Sequence, residues 1–142
     1  MGCHTFRHRR QRMRYRSKKQ EALYRERRPL VARLLEERPA CEACPAYACF
    51  DGLKTYRQNR SQDIHELVNR SQGGSILDEK NLLAVCRPCH TRITQNPLEA
   101  EGLGLHLPSW TQEWMYSEAH HVRLSWSRGD PVTPEWIDDE TL

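Results

Sequence analysis

Four cysteines form two closely spaced pairs that are suited to holding one metal ion. Cys41 and Cys44 make the first Cys-x-x-Cys pair, and Cys86 and Cys89 make the second. A tight turn within each pair aims both sulfurs inward, so two pairs supply the tetrahedral set of thiolates that Zn²⁺ prefers. Four sulfur ligands leave no open position for water, which predicts a structural Zn²⁺ site.

A second set of polar side chains lies between and just after the cysteine pairs. Its members are Asp63, His65, Glu66, Asn81 and His90. Because His90 follows Cys89 directly, ligation of a metal by Cys89 would fix His90 in space. Phosphodiester hydrolysis needs a cation to neutralise developing charge and a base to activate water. Two histidines, with an asparagine that locks a loop, can meet these needs, so the set predicts phosphodiester cleavage.

The hydrophobic pattern predicts a strand–loop–strand–helix unit that carries this polar set. Residues 63–68 alternate between polar and apolar, and residues 82–85 form a short apolar strand leading into the second cysteine pair. Gly73–Gly74 marks a loop between them. A helix is predicted over residues 89–95, because Pro88 suits a first helical turn. Asn96-Pro97 ends that helix, and a short helix with a loop is predicted to follow.

The segment before the first cysteine pair has a helical pattern from about Lys18. Pro29 interrupts it, and proline breaks a helix interior because it lacks an N–H and its ring clashes with the preceding turn. We therefore expect one helix ending near Arg27 and a second over residues 29–38. One face of the second helix carries Leu30, Val31, Leu34 and Leu35. Residues 45–61 form a polar connection for which no element is favoured.

The net charge of +3 conceals a strong asymmetry along the chain. Residues 1–38 hold 13 Lys and Arg against 4 Glu, whereas residues 97–142 hold 2 against 9 acidic residues. A basic segment beside a nearly neutral middle suggests binding to a polyanion. Residues 1–17 are predicted to be a disordered basic arm that clamps nucleic-acid phosphates without reading bases.

The sequence predicts one α+β domain over residues 18–109 with an appendage at each end. The C-terminal appendage, residues 110–142, is acidic and rich in tryptophan. Its tryptophans are Trp110, Trp114, Trp126 and Trp136. We expect them to pack onto the core, with a surface for a partner protein as the alternative. Trp110 and Trp114 are four residues apart and are predicted to share a helix face.

The hydropathy of the sequence predicts a protein that does not associate with a membrane. No stretch approaches the roughly 18 apolar residues of a transmembrane helix, and the basic N-terminus lacks the apolar segment of a secretory signal. We therefore expect a cytoplasmic protein, in the host cytoplasm if a bacteriophage encodes it. Cysteines stay reduced in that compartment, which favours a metal site over disulfides.

Four stretches of the chain resemble the HNH endonucleases, and more narrowly the small HNH proteins of tailed bacteriophages. They are DIHELVNRS at 63–71, GGS at 73–75, NLLAVC at 81–86 and the pair Cys89-His90. The resemblance covers about residues 38–107, half of the chain. It implies a ββα-metal, treble-clef-like core braced by zinc, and nicking or double-strand cleavage of double-stranded DNA. It also implies Mg²⁺ or Mn²⁺ as the catalytic ion.

The strand end departs from the pattern of that family in one respect. Many HNH proteins carry Asp-His or His-His there, the first residue binding the ion and the second acting as base, whereas this chain has His65-Glu66. In strict register His65 is the ligand and Glu66 the base. Alternatively His65 is the base, and Asp63 or water completes the coordination with His90. Alternate strand residues share a face, so Asp63 and His65 lie together and Glu66 opposes them.

Two other functions are compatible with parts of the sequence. One is a non-catalytic zinc-ribbon module that binds DNA, although such a module has no need for His65, Asn81 and His90 together. The other is an adaptor in genome packaging that uses the tryptophan-rich C-terminus. Phage relatives often lie near the packaging machinery, so the resemblance makes the terminase a candidate partner.

Overall fold

A computed structural model describes residues 17–137 of the chain. These residues form an α+β fold, as the sequence predicted, with five helices and one small sheet in the described range. The elements are α1 (Lys18–Glu37), α2 (Cys44–Phe50), β1 (Asp63–Glu66), β2 (Leu82–Val85), α3 (Arg87–Gln95), α4 (Pro97–Gly102) and α5 (Glu113–Ser127). Within this range no helix is long and apolar enough to cross a membrane.

The sheet consists of two antiparallel strands, and the predicted strand–loop–strand–helix order is present. Asp63 pairs with Val85 and His65 pairs with Leu83, so the two strands are in register over their full length. β1 ends at Glu66, two residues earlier than predicted. α3 begins at Arg87, earlier than predicted, because Pro88 occupies its first turn and the backbone turns at Cys86.

The first helix is continuous through Pro29, so the predicted break at this residue is wrong. Ser17 caps the start of α1, and its hydroxyl accepts a hydrogen bond from the Gln20 backbone in a capping box. An interior proline costs a helix about 3 kcal/mol. That cost is offset by tertiary contacts of the helix residues before and after Pro29, including the hydrogen bond from the Arg27 guanidinium to the Ile76 carbonyl. Residues 1–16 of the predicted basic arm lie outside the described residues.

The helix α1 covers one face of the sheet with the apolar side chains that the sequence placed on one stripe. Leu34 is fully buried there against Ile64, Leu82 and Ala84, and the partly buried neighbours are Leu30, Val31 and Leu35. The opposite face of the sheet contributes Leu83 and Val85 to the main core. The sheet is thus covered on both faces, and its two faces carry different chemistry.

The C-terminal helix α5 completes the main core by packing against α2. Met115, Ala119 and Val122 are fully buried on this side of α5. Trp126 and Trp136 pack against the core as expected, whereas Trp110 and Trp114 are 57% and 46% exposed. Trp110 precedes α5, so the prediction that it shares a helix face with Trp114 is wrong. Proline at 108 and the turn that follows it separate Trp110 from the helix.

Shortening Leu34 tests whether α1 is an integral part of the fold. The Leu34→Ala variant should lower the free energy of unfolding by about 2–5 kcal/mol, because a fully buried side chain is lost and a cavity remains. Urea denaturation of the zinc-loaded protein measures this change. Glu36→Ala, an exposed position on the same helix, is the control and should change stability by less than about 0.5 kcal/mol. Equal effects at the two positions would contradict the packing of α1 described here.

Candidate functional site

The four predicted cysteines converge on one point, and their spacing fits a tetrahedral metal site. The Sγ atom of Cys44 lies 3.8 Å from those of Cys86 and Cys89, and all four sulfurs lie within 4.8 Å of one another. A tetrahedron of thiolates about 2.3 Å from a zinc ion has edges of about 3.8 Å. All four residues are buried. The cluster therefore fits a metal ion such as zinc.

Backbone and amide hydrogen bonds hold the cysteine cluster in place. The amide N–H of Cys41 donates to the Asn59 carbonyl at 2.9 Å, and the Gln58 side chain donates to the Cys41 carbonyl at 2.9 Å. The Asn59 side-chain amide lies 3.6 Å from the Cys86 sulfur. Donors aimed at a sulfur stabilise its thiolate form, which is the form that binds metal.

The electrostatics of the cluster call for a cation. A hydrogen bond from Cys89 lowers the pKa of Cys41 to about 5, and the same contact raises the pKa of Cys89 far above its usual range. Burial raises the pKa of Cys44 to about 12. One thiolate can therefore form without help, and its negative charge disfavours the next. A divalent ion removes this obstacle because it supplies the opposite charge at the centre of the cluster.

Three of the predicted polar residues come together beside the cysteine cluster. The Nδ1 atom of His90 lies 3.3 Å from the Asp63 carboxylate, and the rings of His90 and His65 are 5.5 Å apart. Asp63 and His65 share a face of β1 because they alternate along it, and His90 in α3 faces them one residue after Cys89. Asp63 and His90 are partly exposed, so this group borders solvent.

A carbonyl group fixes the tautomer of His65. The ring is 4% exposed, and its Nε2 atom lies 2.8 Å from the Leu105 carbonyl oxygen. A carbonyl only accepts hydrogen bonds, so Nε2 carries the proton and Nδ1 keeps a free lone pair. Burial lowers the pKa of His65 to about 4, so the ring is neutral at physiological pH. A neutral imidazole with a free nitrogen is able to accept a proton.

Asn81 locks the loop between the two strands, as its position predicted. Its side-chain oxygen accepts from the Val68 amide at 2.8 Å, and its nitrogen donates to the carbonyls of Val68 and Ser75 at 3.1 and 2.8 Å. The residue is 1% exposed. A buried amide with every one of these bonds satisfied fixes the end of β1 relative to the start of β2.

Glu66 lies apart from the other predicted polar residues. It belongs to the face of β1 that α1 covers, and its carboxylate pairs with Arg27 at 3.5 Å. The alternation of side chains along a strand separates it from His65, as the pleat requires. The structure thus brings Asp63, His65 and His90 together and directs Glu66 to the opposite side of the sheet.

A third histidine, His106, lies near this group and was not singled out in the sequence. Its ring is 6.4 Å from that of His65, and it is partly exposed between two fully buried leucines, Leu105 and Leu107. The Leu107 amide donates to the Leu67 carbonyl, which ties this segment to the end of β1. The alternation of leucines at 103, 105 and 107 is the signal for such an extended segment.

A comparison of the chain with models of protein families, with curated proteins and with solved structures finds no match.

Replacing one cysteine of the cluster should remove both the metal and the fold. Cys41→Ser or Cys86→Ser should lose bound zinc and cooperative unfolding together, because structural zinc contributes about 10–16 kcal/mol that appears as folding free energy. Elemental analysis and circular dichroism melting measure the two effects. Cys49→Ser is the matched control, since Cys49 is a free cysteine outside the cluster. Well-folded, freshly purified wild-type protein without zinc would contradict the assignment.

Proposed function

We propose that this chain is a metal-dependent DNA endonuclease of the HNH type. The observation that carries the proposal is the convergence of Asp63, His65 and His90 on a strand–loop–strand–helix unit whose helix begins directly after Cys86 of the cysteine cluster. The order β1, β2 and α3 and the loop locked by Asn81 agree with a ββα-metal core. The resemblance of residues 63–90 to HNH proteins supports the same assignment.

Double-stranded DNA is the substrate that the charge distribution favours. Residues 1–17 carry six arginines and no acidic residue, which suits contact with a phosphate backbone. The candidate site borders solvent and lies on a short sheet, so an extended polymer has access to it. Contacts to phosphates position a protein on DNA without reading its sequence. We therefore propose cleavage or nicking with little sequence preference.

The pair formed by Asp63 and His90 is the proposed site for the catalytic Mg²⁺ or Mn²⁺. Among the described residues, only the cysteine cluster gathers three or more potential metal ligands. Two protein ligands nevertheless suit Mg²⁺ or Mn²⁺, because such ions keep several waters and take further oxygens from phosphate. A bound ion there stabilises developing negative charge and lowers the pKa of water. Asp63 and His90 would hold it between them.

His65 is the proposed general base. Its Nε2–H is held by the Leu105 carbonyl, so its Nδ1 atom is the nitrogen that accepts a proton from water. The carbonyl keeps the ring from rotating and fixes which nitrogen is free. Glu66 is not suited to this role, because its carboxylate pairs with Arg27 on the other face of the sheet. Of the two assignments left open by the sequence, the one with Asp63 as ligand and His65 as base is favoured.

A role in processing DNA for genome packaging is the proposed setting for this activity. The resemblance to small phage HNH proteins supports it, and the exposed Trp110 and Trp114 offer apolar surface for a packaging protein. Purified large terminase should be retained by the wild-type chain and not by a Trp110→Ala, Trp114→Ala variant. Retention of the terminase by both chains would contradict a role for these tryptophans.

Removing His90 is the sharpest test of the nuclease. His90→Ala should abolish Mg²⁺- or Mn²⁺-dependent nicking of supercoiled plasmid, because one of two protein ligands to the catalytic ion is lost. Zinc content and melting temperature should stay the same, since the structural ion uses sulfur alone. Glu66→Gln is the control and should retain most of the activity. Because it weakens a contact with Arg27, its melting temperature should be measured as well.

Three results would contradict this mechanism. Near-normal nicking by His90→Ala would show that the activity belongs to a different site or to a contaminant. Loss of zinc in the same variant would show that His90 ligates the structural ion. Absence of nicking in the wild-type protein, with DNA binding retained, would favour a non-catalytic zinc module.

A further inference from the structure

Residues 52–60 form an exposed basic loop that the proposed chemistry leaves unused. The loop connects α2 with the segment that leads into β1, and its sequence is GLKTYRQNR. Every residue in it is exposed. It carries Lys54, Arg57 and Arg60 and contains no acidic residue. This concentration of positive charge lies in the segment for which the sequence pattern favoured no element.

The three cations of the 52–60 loop make no ion pair with any described residue. Six lysines and arginines elsewhere among the described residues are paired with carboxylates. Those in ion pairs are Arg27, Arg33, Arg38, Lys80, Arg87 and Arg92. Three like charges within seven residues repel one another, and an anionic partner relieves that repulsion. The loop is therefore equipped to bind an anion outside the chain.

Both ends of the loop are fastened to the body of the protein. At its start, the Leu53 amide donates to the Ala48 carbonyl at 2.9 Å, and the neighbouring Asp51 is held by two bonds from Arg92. At its end, Gln58 and Asn59 bond to the backbone of Cys41. The loop is thus tied to the cysteine cluster. Because its ends are already fixed, the loop loses less conformational entropy when it binds a ligand.

The end of the loop lies close to the proposed catalytic residues. Arg60 precedes Asp63 by three residues, a distance of at most about 10 Å along an extended chain. Arg87 has an exposed guanidinium 3.5 Å from the Asp63 carboxylate. Positive charge on Arg87 therefore contacts Asp63, and that on Arg60 lies three residues from it along the chain. A backbone that crosses the candidate site would pass within reach of both arginines.

We infer that the 52–60 loop is a clamp for the DNA phosphate backbone beside the cleavage site. Lys54, Arg57 and Arg60 each pair with a phosphate that flanks the scissile one. Tyr56, which is 47% exposed and lies between the cations, donates its hydroxyl to a phosphate oxygen. This inference rests on the proposed nuclease function for the position of the DNA, but binding by the loop does not require catalysis.

Salt-dependent binding tests the clamp with two variants that remove the same charge. The loop variant is Lys54→Ala, Arg57→Ala, Arg60→Ala, and the control is Lys19→Ala, Arg25→Ala, Arg28→Ala on exposed positions of α1. Each full-length protein is titrated into a fluorescent DNA duplex without divalent cations, over a range of NaCl concentrations. Anisotropy gives the slope of log K against log salt. Each phosphate contact contributes about 0.9 to that slope.

The loop variant should have a slope shallower by about 2.7, and the control should change by less than about 0.9. Zinc content and melting temperature should be unchanged in both, because all six side chains are exposed and form no hydrogen bond or ion pair with a described residue. An unchanged slope in the loop variant, or an equal change in the control, would overturn the clamp. A further outcome is that the wild type fails to nick DNA while the loop variant still shows a shallower slope of log K against log salt than the wild type. In that case the nuclease proposal fails and the clamp stands.

Discussion

The convergence of four cysteine sulfurs on a site that fits one metal ion is the constraint from which the rest of this structure follows. The sheet has only four residues in each strand, and a two-stranded sheet of that size is marginal in water by itself. The cysteine cluster joins the start of α2 to the turn between β2 and α3, which are more than forty residues apart in the chain. Closing that connection with a metal removes much of the entropy of the unfolded chain.

The same constraint positions the chemistry. Because Cys86 and Cys89 flank the start of α3, a metal held by the cluster would fix the helix at its first turn and set the direction of His90. Pairing of β2 with β1 then places Asp63 and His65 opposite that turn. The Leu105 carbonyl orients the His65 ring from a third segment. No single element contains the candidate site, so its geometry depends on the cluster that joins them.

One face of the small sheet serves packing against α1, and the other carries the candidate site beside part of the main core. Ile64, Leu82 and Ala84 face α1 and form an apolar contact with it. Glu66 lies on that same face, where Arg27 neutralises it. Asp63 and His65 lie on the other face with His90. A shift of one residue in the register of β1 would exchange these two faces and destroy both functions, so the loop locked by Asn81 protects the site as well as the fold.

Features that depend on nearby residues could be predicted from the sequence, whereas contacts between distant segments could not. The cysteine spacing, the strand at Leu82–Val85 and the loop role of Asn81 follow from local residue types, and the structure agrees with each. The break predicted at Pro29 is wrong because packing of α1 on the sheet outweighs the local preference of proline. The contact of His65 with Leu105 spans 40 residues. The pattern of polar and apolar residues around His65 does not indicate Leu105 as its partner.

Anomalous diffraction from crystals of the full chain grown with Mn²⁺ is the most direct test of the central claim, which is that a metal-braced fold builds a second cation site. Data collected at the zinc and manganese edges locate the two metals independently. We predict zinc at the centre of the four cysteine sulfurs and manganese bound to Asp63 and His90, on the side of His65. Zinc ligated by His90, or manganese absent from the Asp63–His90 pair while bound elsewhere on the chain, would contradict this prediction.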